Sequence, residues 1–298
     1  RGKLLGGSSA INGLVYVRGN KLDYDTWAQM GNTGWSYDDV LPFFKKLENY
    51  QGELSEIRGG DGPLKVSEVT DRNPIYDGLF EAAEEKKIPV NKDYNGDDQE
   101  GISYTQTTIY KGERMSAKIA YLSPIKSRKN LTIITDSLVT RLLFEGKQCV
   151  GAEVKNKNKI IEYSAAKEVI LCGGAINSPQ VLELSGIGDR SILESKGIEL
   201  NHELKGVGEN LRDHLAPRLV YNITKPGIAY NDKARGVNLI KQVFKYVFQR
   251  DGFLSPVNIV DAQTAESHRS RLEQAESEFG PVHYKPKIYS LLTSPFGL

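Results

Sequence analysis

The sequence has little cysteine, little histidine and no long hydrophobic run. Its 298 residues include two cysteines, Cys149 and Cys172, and four histidines. At these numbers and spacings they build neither a disulfide framework nor a metal site. No apolar run approaches the length of about 20 residues that crosses a bilayer. Charge of one sign is also lacking, because 39 Lys and Arg balance 38 Asp and Glu to a net charge of +1, which argues against nucleic-acid binding.

The length and the two ends of the sequence bear on its organisation. A chain of 298 residues, 39% hydrophobic and 26% charged, is long enough for one large domain or two ordinary ones. It begins at Arg1 with neither an initiator Met nor a signal peptide, and it ends at Leu298 without a recognisable terminus. We therefore expect an internal fragment of a longer protein. The two cysteines lie in strand-like segments, where we expect buried free thiols.

The first 25 residues, RGKLLGGSSAINGLVYVRGNKLDYD, form the most informative stretch. Gly6 and Gly7 would let the backbone approach a ligand closely, because neither carries a Cβ. Ser8 is a good N-cap for the helix-compatible run that follows. Free N–H groups and the positive end of the helix dipole would then form a site for a phosphate or pyrophosphate. Taken alone, these residues favour an ordinary turn and cap.

Asn12 adds a second observation to this stretch. It lies in an otherwise apolar segment, where an amide without a partner is costly. The side chain of Asn12 therefore needs a polar partner, and a heteroatom of a ligand is one candidate.

A second informative stretch, GGAINSPQVLELSGIG, covers residues 173–188. Residues 168–172 before it predict a short strand buried on both faces of a parallel sheet. Ser178 and Pro179 predict the N-cap and first turn of a helix, and Gly186 predicts its end. Strand, Gly-Gly and helix together have the geometry of a nucleotide-binding βα turn, and an ordinary βα connection fits these residues equally well.

Periodicity predicts the other helices and strands. The predicted helices cover residues 40–47, 74–87, 116–121, 237–248 and 270–279. The predicted strands cover residues 64–69, 103–110, 131–135, 138–144, 149–155 and 160–164. Tight turns join the last three strands, which predicts a β-meander.

Three motifs make the sequence similar to the glucose–methanol–choline (GMC) family of flavin oxidoreductases. The spacing Gly-Lys-x-Leu-Gly-Gly-Ser-Ser-x-Ile-Asn-x-x-x-Tyr-x-x-Gly near the start resembles the first signature of that family. The pattern Gly-Ala-x-x-Ser-Pro-x-Val-Leu-x-x-Ser-Gly-Ile-Gly at residues 174–188 resembles the second. Residues 206–214, GVGENLRDH, resemble the segment that follows, with Arg212 where the family more often has Gln. The motifs occur in the order of the family, so the resemblance covers residues 1 to about 214.

The resemblance implies an α/β (α+β) fold in which FAD binds a Rossmann-type domain. Residues 1–215 would form the FAD-binding region with its β-meander, lacking the first βαβ unit. Residues 65–125 within it would contribute to the substrate side. Residues 216–298 would begin a substrate domain built on an antiparallel sheet. The Gly-x-Gly-x-x-Gly of the family should lie upstream of the chain, since residues 206–211 lack its third glycine.

The resemblance also implies which residues bind the cofactor. Gly6, Gly7 and Ser8 would lie along the pyrophosphate and ribityl chain, and Asn12, Gly13, Leu14 and Val15 beside the isoalloxazine, where Asn12 would find its partner. Val139 would meet the adenine through its backbone, and Gly174 and Ala175 would lie on the ribose and adenine side. The His that binds flavin covalently in some members has no counterpart in the opening stretch, so FAD would be held non-covalently.

No catalytic residue is assigned within the chain. The catalytic His of the family should lie beyond its C-terminal end, and His202, His268 and His283 do not stand in the sequence context of that residue. A lone His is more often a surface or satisfied residue than a base. We interpret Asp213 and His214 as a structural capping pair.

The leading hypothesis is an FAD-dependent oxidoreductase that acts on the CH–OH group of choline or an alkyl alcohol. A base would take the hydroxyl proton while hydride passes to flavin N5. The partners would be a small-molecule alcohol and an electron acceptor, either oxygen or a quinone-type carrier. The alternative is a flavin-containing, hydroxynitrile-lyase-like enzyme, and by itself the chain would be a catalytically silent fragment. A cytoplasmic or membrane-peripheral location is the expectation from the family.

Overall fold

The computed structural model describes residues 1–69, 72–213, 223, 225–250, 252 and 260–263. The helices within these ranges are α1 (Lys21–Gln29), α2 (Tyr37–Leu47), α3 (Pro74–Glu85), α4 (Gly174–Leu184), α5 (Arg190–Ser195), α6 (Tyr230–Lys233) and α7 (Gly236–Gln249). The strands are β1 (Glu48–Tyr50), β2 (Leu64–Glu68), β3 (Gly101–Tyr104), β4 (Gln106–Thr107), β5 (Ile109–Tyr110), β6 (Glu113–Arg114), β7 (Ser137–Glu145), β8 (Gln148–Asn156), β9 (Lys159–Ser164), β10 (Ile187–Gly188), β11 (His202–Glu203) and β12 (Val260–Gln263).

The chain forms two compact units. Unit 1 comprises Arg1–Lys126 and Ile223–Leu298, and unit 2 comprises Ser127–Asn222. The sheets of unit 1 are small and open: β2 lies between parallel β1 and antiparallel β4, β3 pairs with β12, and β5 pairs with β6. Unit 2 contains the antiparallel sheet β7–β8–β9 and the parallel pair β10–β11. The predicted division between residues 215 and 216 stays a prediction.

Side-chain caps define the helices of unit 1 as the sequence predicts. Ser36 caps α2 in a capping box with Asp39, each side chain accepting from the backbone N–H of the other. Asn73 caps α3 and Pro74 occupies its first turn. The predictions of helices at residues 40–47, 74–87 and 237–248 are confirmed by α2, α3 and α7. None of the described helices is both long and apolar enough to span a membrane.

The predicted β-meander is confirmed in unit 2. Strands β7, β8 and β9 pair antiparallel in sequence order, with Gly146 and Lys157 at positive φ in the two tight turns. Leu142 and Val154 are buried, whereas every residue of β9 is exposed. The meander therefore buries one face of its first two strands and leaves its third strand at the surface.

Two predicted strands are absent. Residues 131–135 and 168–172 have no regular structure, and Ile170 is largely exposed. A strand needs a neighbour to take its backbone hydrogen bonds, and no described segment pairs with either of these. Cys149 and Cys172 are free thiols, as expected, but Cys149 is partly exposed and Cys172 is exposed, so their predicted burial is wrong.

Other elements differ from their predicted bounds. The predicted strand at residues 103–110 is divided among β3, β4 and β5. At the two interruptions, the Thr105 carbonyl accepts the Val69 N–H, and the Thr108 N–H donates to the Leu14 carbonyl. The predicted helix at residues 116–121 is a π-helical turn, Lys118–Leu122, followed by a 3₁₀ turn. The predicted helix at residues 270–279 lies outside the described residues.

Helix α4 begins earlier than predicted. It starts at Gly174, so Pro179 lies in its interior and Ser178 is not its N-cap. The Ser178 hydroxyl instead accepts the Gly173 N–H at 3.0 Å. Leu184 ends the helix and Gly186 follows at positive φ, as predicted.

Candidate functional site

Residues 1–19 form a largely exposed loop on unit 1, and the helix predicted after Ser8 is wrong. Only one 3₁₀ turn, Gly7–Ala10, is present. The helix fails because the Asn12 Oδ1 accepts the Leu14 N–H at 3.3 Å, a local bond that competes with helical pairing. Leu14 then takes φ of 69°, a left-handed conformation that ends any helix. The helix dipole therefore contributes nothing to an anion site at Ser8.

Glycines leave open backbone on this loop. A Cβ built at Gly7 or Gly13 meets no atom within 4 Å, and Gly7 has a positive φ that favours glycine. Between and beside them, the side chains of Ile11 and Val15 are 58% and 39% exposed. Gly6 differs, because its Cβ position lies 3.1 Å from Lys118. The loop thus offers bare backbone flanked by apolar side chains, a surface that a flat heteroaromatic ring can cover.

Asn12 finds its polar partner within the chain. Its Oδ1 accepts a hydrogen bond from Arg114 Nη1 at 2.8 Å, in addition to the Leu14 N–H. The polar partner that the sequence requires is therefore present within the chain, and a cofactor-binding role of Asn12 stays a prediction. Sequence reasoning missed Arg114, which lies 102 residues away and belongs to no motif that we identified.

Leu14 links the loop to the interior of unit 1. Its side chain is only 3% exposed, and its carbonyl accepts the Thr108 N–H at 2.9 Å. Tyr16 donates its N–H to the Gln106 carbonyl at 2.9 Å. These bonds attach residues 14–16 to β4 and its neighbours, so the loop has a defined inner face and a defined outer face.

The exposed side of the loop offers backbone donors near Asn12. The N–H groups of Gly13 and Val15 have no hydrogen-bond partner among the residues that the structure describes. They are two positions apart in an exposed segment. Exposed donors of this kind can bind the acceptor atoms of a ligand.

A buried ion cluster contacts the end of this loop through Tyr16 and Arg18. Glu48 is fully buried, and its carboxylate forms ion pairs with Arg18 Nη2 and Arg58 Nε, each at 2.8 Å. Asp93 also pairs with Arg58. The Tyr16 hydroxyl donates to Glu48 at 2.8 Å, so the cluster holds residues 16–18 from inside. The sequence carried no periodic signal for it, because its members come from loops and from a three-residue strand.

The cluster shifts the ionisation of its members. Burial first, and then the negative charge of Glu48, raise the pKa of the Tyr16 phenol to about 12. Burial and the hydrogen bond to Glu68 raise the pKa of Tyr50. Burial works to lower the pKa of Arg58, but Glu48 and Asp93 outweigh it, so the pKa of Arg58 is raised. The cluster therefore keeps its phenols neutral and its guanidinium charged through the neutral pH range.

The remaining predicted residues belong to unit 2. Val139 is a half-buried residue of β7 that pairs with Val154. Gly174 and Ala175 are exposed at the start of α4, and Gly174 has open space at its Cβ position. Helix α4 packs against β7, where the Ser185 hydroxyl accepts the Leu142 N–H at 2.8 Å. Within unit 2, the three predicted residues thus belong to two elements in contact.

Neither the histidines nor the acidic groups form a further centre among the described residues. No group of His, Cys, Asp and Glu there could hold a metal ion. His202 is exposed on β11, and no described carboxylate accepts a hydrogen bond from its imidazole. His214, His268 and His283 lie outside the described residues, and so the predicted capping pair with Asp213 stays a prediction.

The sequence and structure of the chain match those of known proteins. The family model for GMC oxidoreductase matches residues 1–216. An oxygen-dependent choline dehydrogenase from Photobacterium profundum is 40% identical over 254 residues, covering 85% of this chain and 44% of that protein. A mitochondrial choline dehydrogenase from Homo sapiens is 46% identical over 227 residues, covering 76% of this chain and 38% of that protein. The chain therefore spans less than half the length of these relatives.

Solved structures agree. A formate oxidase from Aspergillus oryzae, studied for modification of its FAD, matches with a TM-score of 0.79 at 25% identity over 96% of this chain and 52% of that one. An FAD-dependent oxidoreductase from Chaetomium thermophilum matches with a TM-score of 0.76 at 30% identity over 85% of this chain and 46% of that one. These matches confirm the predicted α/β, Rossmann-type fold class and support FAD as the cofactor. The chain belongs to the GMC oxidoreductase family.

Proposed function

We propose that this chain carries the flavin-facing part of an FAD-dependent oxidoreductase that oxidises the CH–OH group of choline or an alkyl alcohol. The observation that carries the proposal is the pair of available N–H donors at Gly13 and Val15, on an exposed apolar loop within the region that the family model matches. Relatives named as choline dehydrogenases support the substrate class. Oxygen or a quinone-type carrier would receive the electrons.

The residues of the chain would bind and orient the cofactor. Gly13 and Val15 would donate to acceptor atoms of the isoalloxazine, while Ile11 covers part of its apolar surface. Gly7 would allow the backbone to approach the ribityl and pyrophosphate groups beside Gly6 and Ser8. When bound, FAD supplies the hydride acceptor of the reaction. The FAD would be held non-covalently, since no side chain of the loop is a His.

The adenine end of the cofactor would be bound by unit 2. Val139, on β7, would meet the adenine through its backbone, and Gly174 and Ala175 would lie beside the ribose. The open Cβ position of Gly174 and the exposed Ala175 support this proposal, because small exposed residues admit the close approach of a ligand to the backbone.

A flavin spectrum tests the proposal. The purified chain is incubated with FAD, freed of excess cofactor, and treated with choline and with medium-chain alcohols without oxygen. Retained visible flavin bands are the expected result for this chain, in which no catalytic base is assigned, and bleaching of those bands by an alcohol is the expected result for the full-length protein. Loss of FAD on removing the excess would contradict the cofactor-binding role of the loop. In the full-length protein, FAD that dithionite reduces but no alcohol bleaches would contradict the oxidoreductase assignment and favour a lyase-like enzyme.

A further inference from the structure

We propose that Arg114 is a positioning residue for the flavin, because it orients the peptide between Asn12 and Gly13 so that the Gly13 N–H points to the cofactor. The inference rests on the proposed function, since it concerns the same loop. It assigns a role to a side chain that lies outside the sequence motifs and about 100 residues from the loop.

Arg114 makes three hydrogen bonds to one short segment of the loop. Its Nη1 donates to the Asn12 carbonyl at 2.7 Å, to the Asn12 Oδ1 at 2.8 Å and to the Ser9 carbonyl at 3.2 Å. Burial lowers the pKa of Arg114, but a guanidinium remains charged in a protein. These are therefore charge-assisted bonds, which are stronger than bonds between neutral groups.

The geometry of the peptide bond converts this contact into an orientation. The described chain contains no cis peptide bond. In a trans peptide, the carbonyl of one residue and the N–H of the next point in opposite directions. Because Arg114 holds the Asn12 carbonyl, the Gly13 N–H must point away from Arg114. The Gly13 N–H has no partner among the described residues, and a Cβ built at Gly13 meets no atom within 4 Å.

A second peptide on the same loop is held in the same way. Thr108 donates its N–H to the Leu14 carbonyl at 2.9 Å, so the Val15 N–H points away from Thr108. A third contact comes from Ala117, whose N–H donates to the Ser9 Oγ at 2.8 Å. Residues 108–117 thus hold the inner face of the loop. Arg114 is the member of this segment that brings a positive charge to the loop.

The orientation has a measurable consequence for a bound flavin. A donor aimed at a flavin heteroatom, with a fixed positive charge behind it, stabilises the electron-rich reduced ring more than the oxidised ring. If Arg114 orients Gly13, loss of the guanidinium weakens FAD binding, shifts the long-wavelength flavin band and lowers the reduction potential. A side chain that merely stabilised the fold would lower the stability of the chain without changing the potential of the flavin that remains bound.

The test compares Arg114→Met and Arg114→Gln with wild type in the full chain, with Arg190→Met as the matched control. Arg190 is exposed on α5 in unit 2 and pairs with Glu194 on the same helix. FAD dissociation constants, flavin spectra and reduction potentials are measured after far-UV circular dichroism has verified the fold. Both Arg114 variants should bind FAD about tenfold more weakly, with a shifted band and a lower potential. Arg190→Met should match wild type.

Two variants separate the positioning role of Arg114 from a structural one. Arg114→Lys keeps the charge and several donors, so it should recover most of the FAD affinity and potential. If Arg114→Met does not fold, Arg114→Gln gives the answer, since it keeps a polar side chain at a partly exposed position. Wild-type affinity, spectrum and potential in the folded variants would overturn this inference alone. Failure of the wild-type chain to bind FAD would overturn the proposed function with it.

Discussion

Replacement of Glu48 by Gln removes one negative charge from the buried ion cluster and keeps the size of the side chain. The carboxylate is fully buried between Arg18 and Arg58, whose side chains are 2% and 0% exposed. Removing one partner of a buried pair typically costs about 3–5 kcal/mol. Asp93 still neutralises part of the charge of Arg58, so we expect a loss of about 4 kcal/mol in the free energy of unfolding.

Urea unfolding followed by tryptophan fluorescence measures this loss. The two tryptophans, Trp27 and Trp35, both lie in unit 1 with the cluster. A denaturant slope of about 2.5 kcal/mol per molar converts the loss to a midpoint about 1.6 M lower. The same titration at high salt should give nearly the same difference, because salt screens buried charges poorly.

Glu153→Gln is the matched control. Its carboxylate pairs with Arg141 at 2.9 Å on the surface of the meander, where ion pairs contribute little. The control should leave the unfolding midpoint of unit 1 unchanged. A Glu48→Gln midpoint within about 0.3 M of wild type would refute the reasoning, because two buried guanidinium groups would then tolerate the loss of their shared carboxylate.

Three further predictions concern the cluster, a helix cap and the loop. Since burial and Glu48 raise the pKa of Tyr16 from 10.0 to about 12, wild type should lose stability as pH rises through this window, and Tyr16→Phe should lose less in urea titrations. Asp189 caps α5, and its pKa is lowered, first by the Ser191 hydroxyl. The stabilisation of α5 by the ionised cap is therefore present above pH 3.8 and is lost as the pH falls below that value. Asp189→Ala should speed hydrogen exchange of the Ser191 N–H at neutral pH. Gly13→Ala should weaken FAD binding about tenfold at unchanged thermal stability, whereas Gly78→Ala, at an exposed position of α3, should leave FAD binding unchanged. Equal FAD binding by both variants would contradict a close approach of the cofactor to Gly13.

Local sequence rules predicted much of the secondary structure. Ser36 and Asn73 start their helices because capping depends on residues within one turn. The meander follows from alternating residues and tight turns. The rules failed at residues 131–135 and 168–172, where apolar composition predicts a strand but no described neighbour supplies the hydrogen bonds. They failed again at Ser8 and Ser178, although each serine can cap a helix. After Ser8, the Asn12 side chain accepts the Leu14 N–H instead of continuing a helix, and the Ser178 hydroxyl accepts the Gly173 N–H instead of capping one.

The sequence by itself determined the family, the cofactor class and the loop to which a flavin-binding role is assigned, because these depend on motifs whose residues are close together in the chain. Only the tertiary structure decided how that loop is held. Arg114 meets Asn12 across 102 residues, and Asp93 meets Arg58 across 35. Such contacts leave no periodic pattern, since a hydrogen bond between distant segments depends on how the chain folds back. The direction of the Gly13 N–H follows from the contact of Arg114 with the Asn12 carbonyl, and that of the Val15 N–H from the bond between the Thr108 N–H and the Leu14 carbonyl.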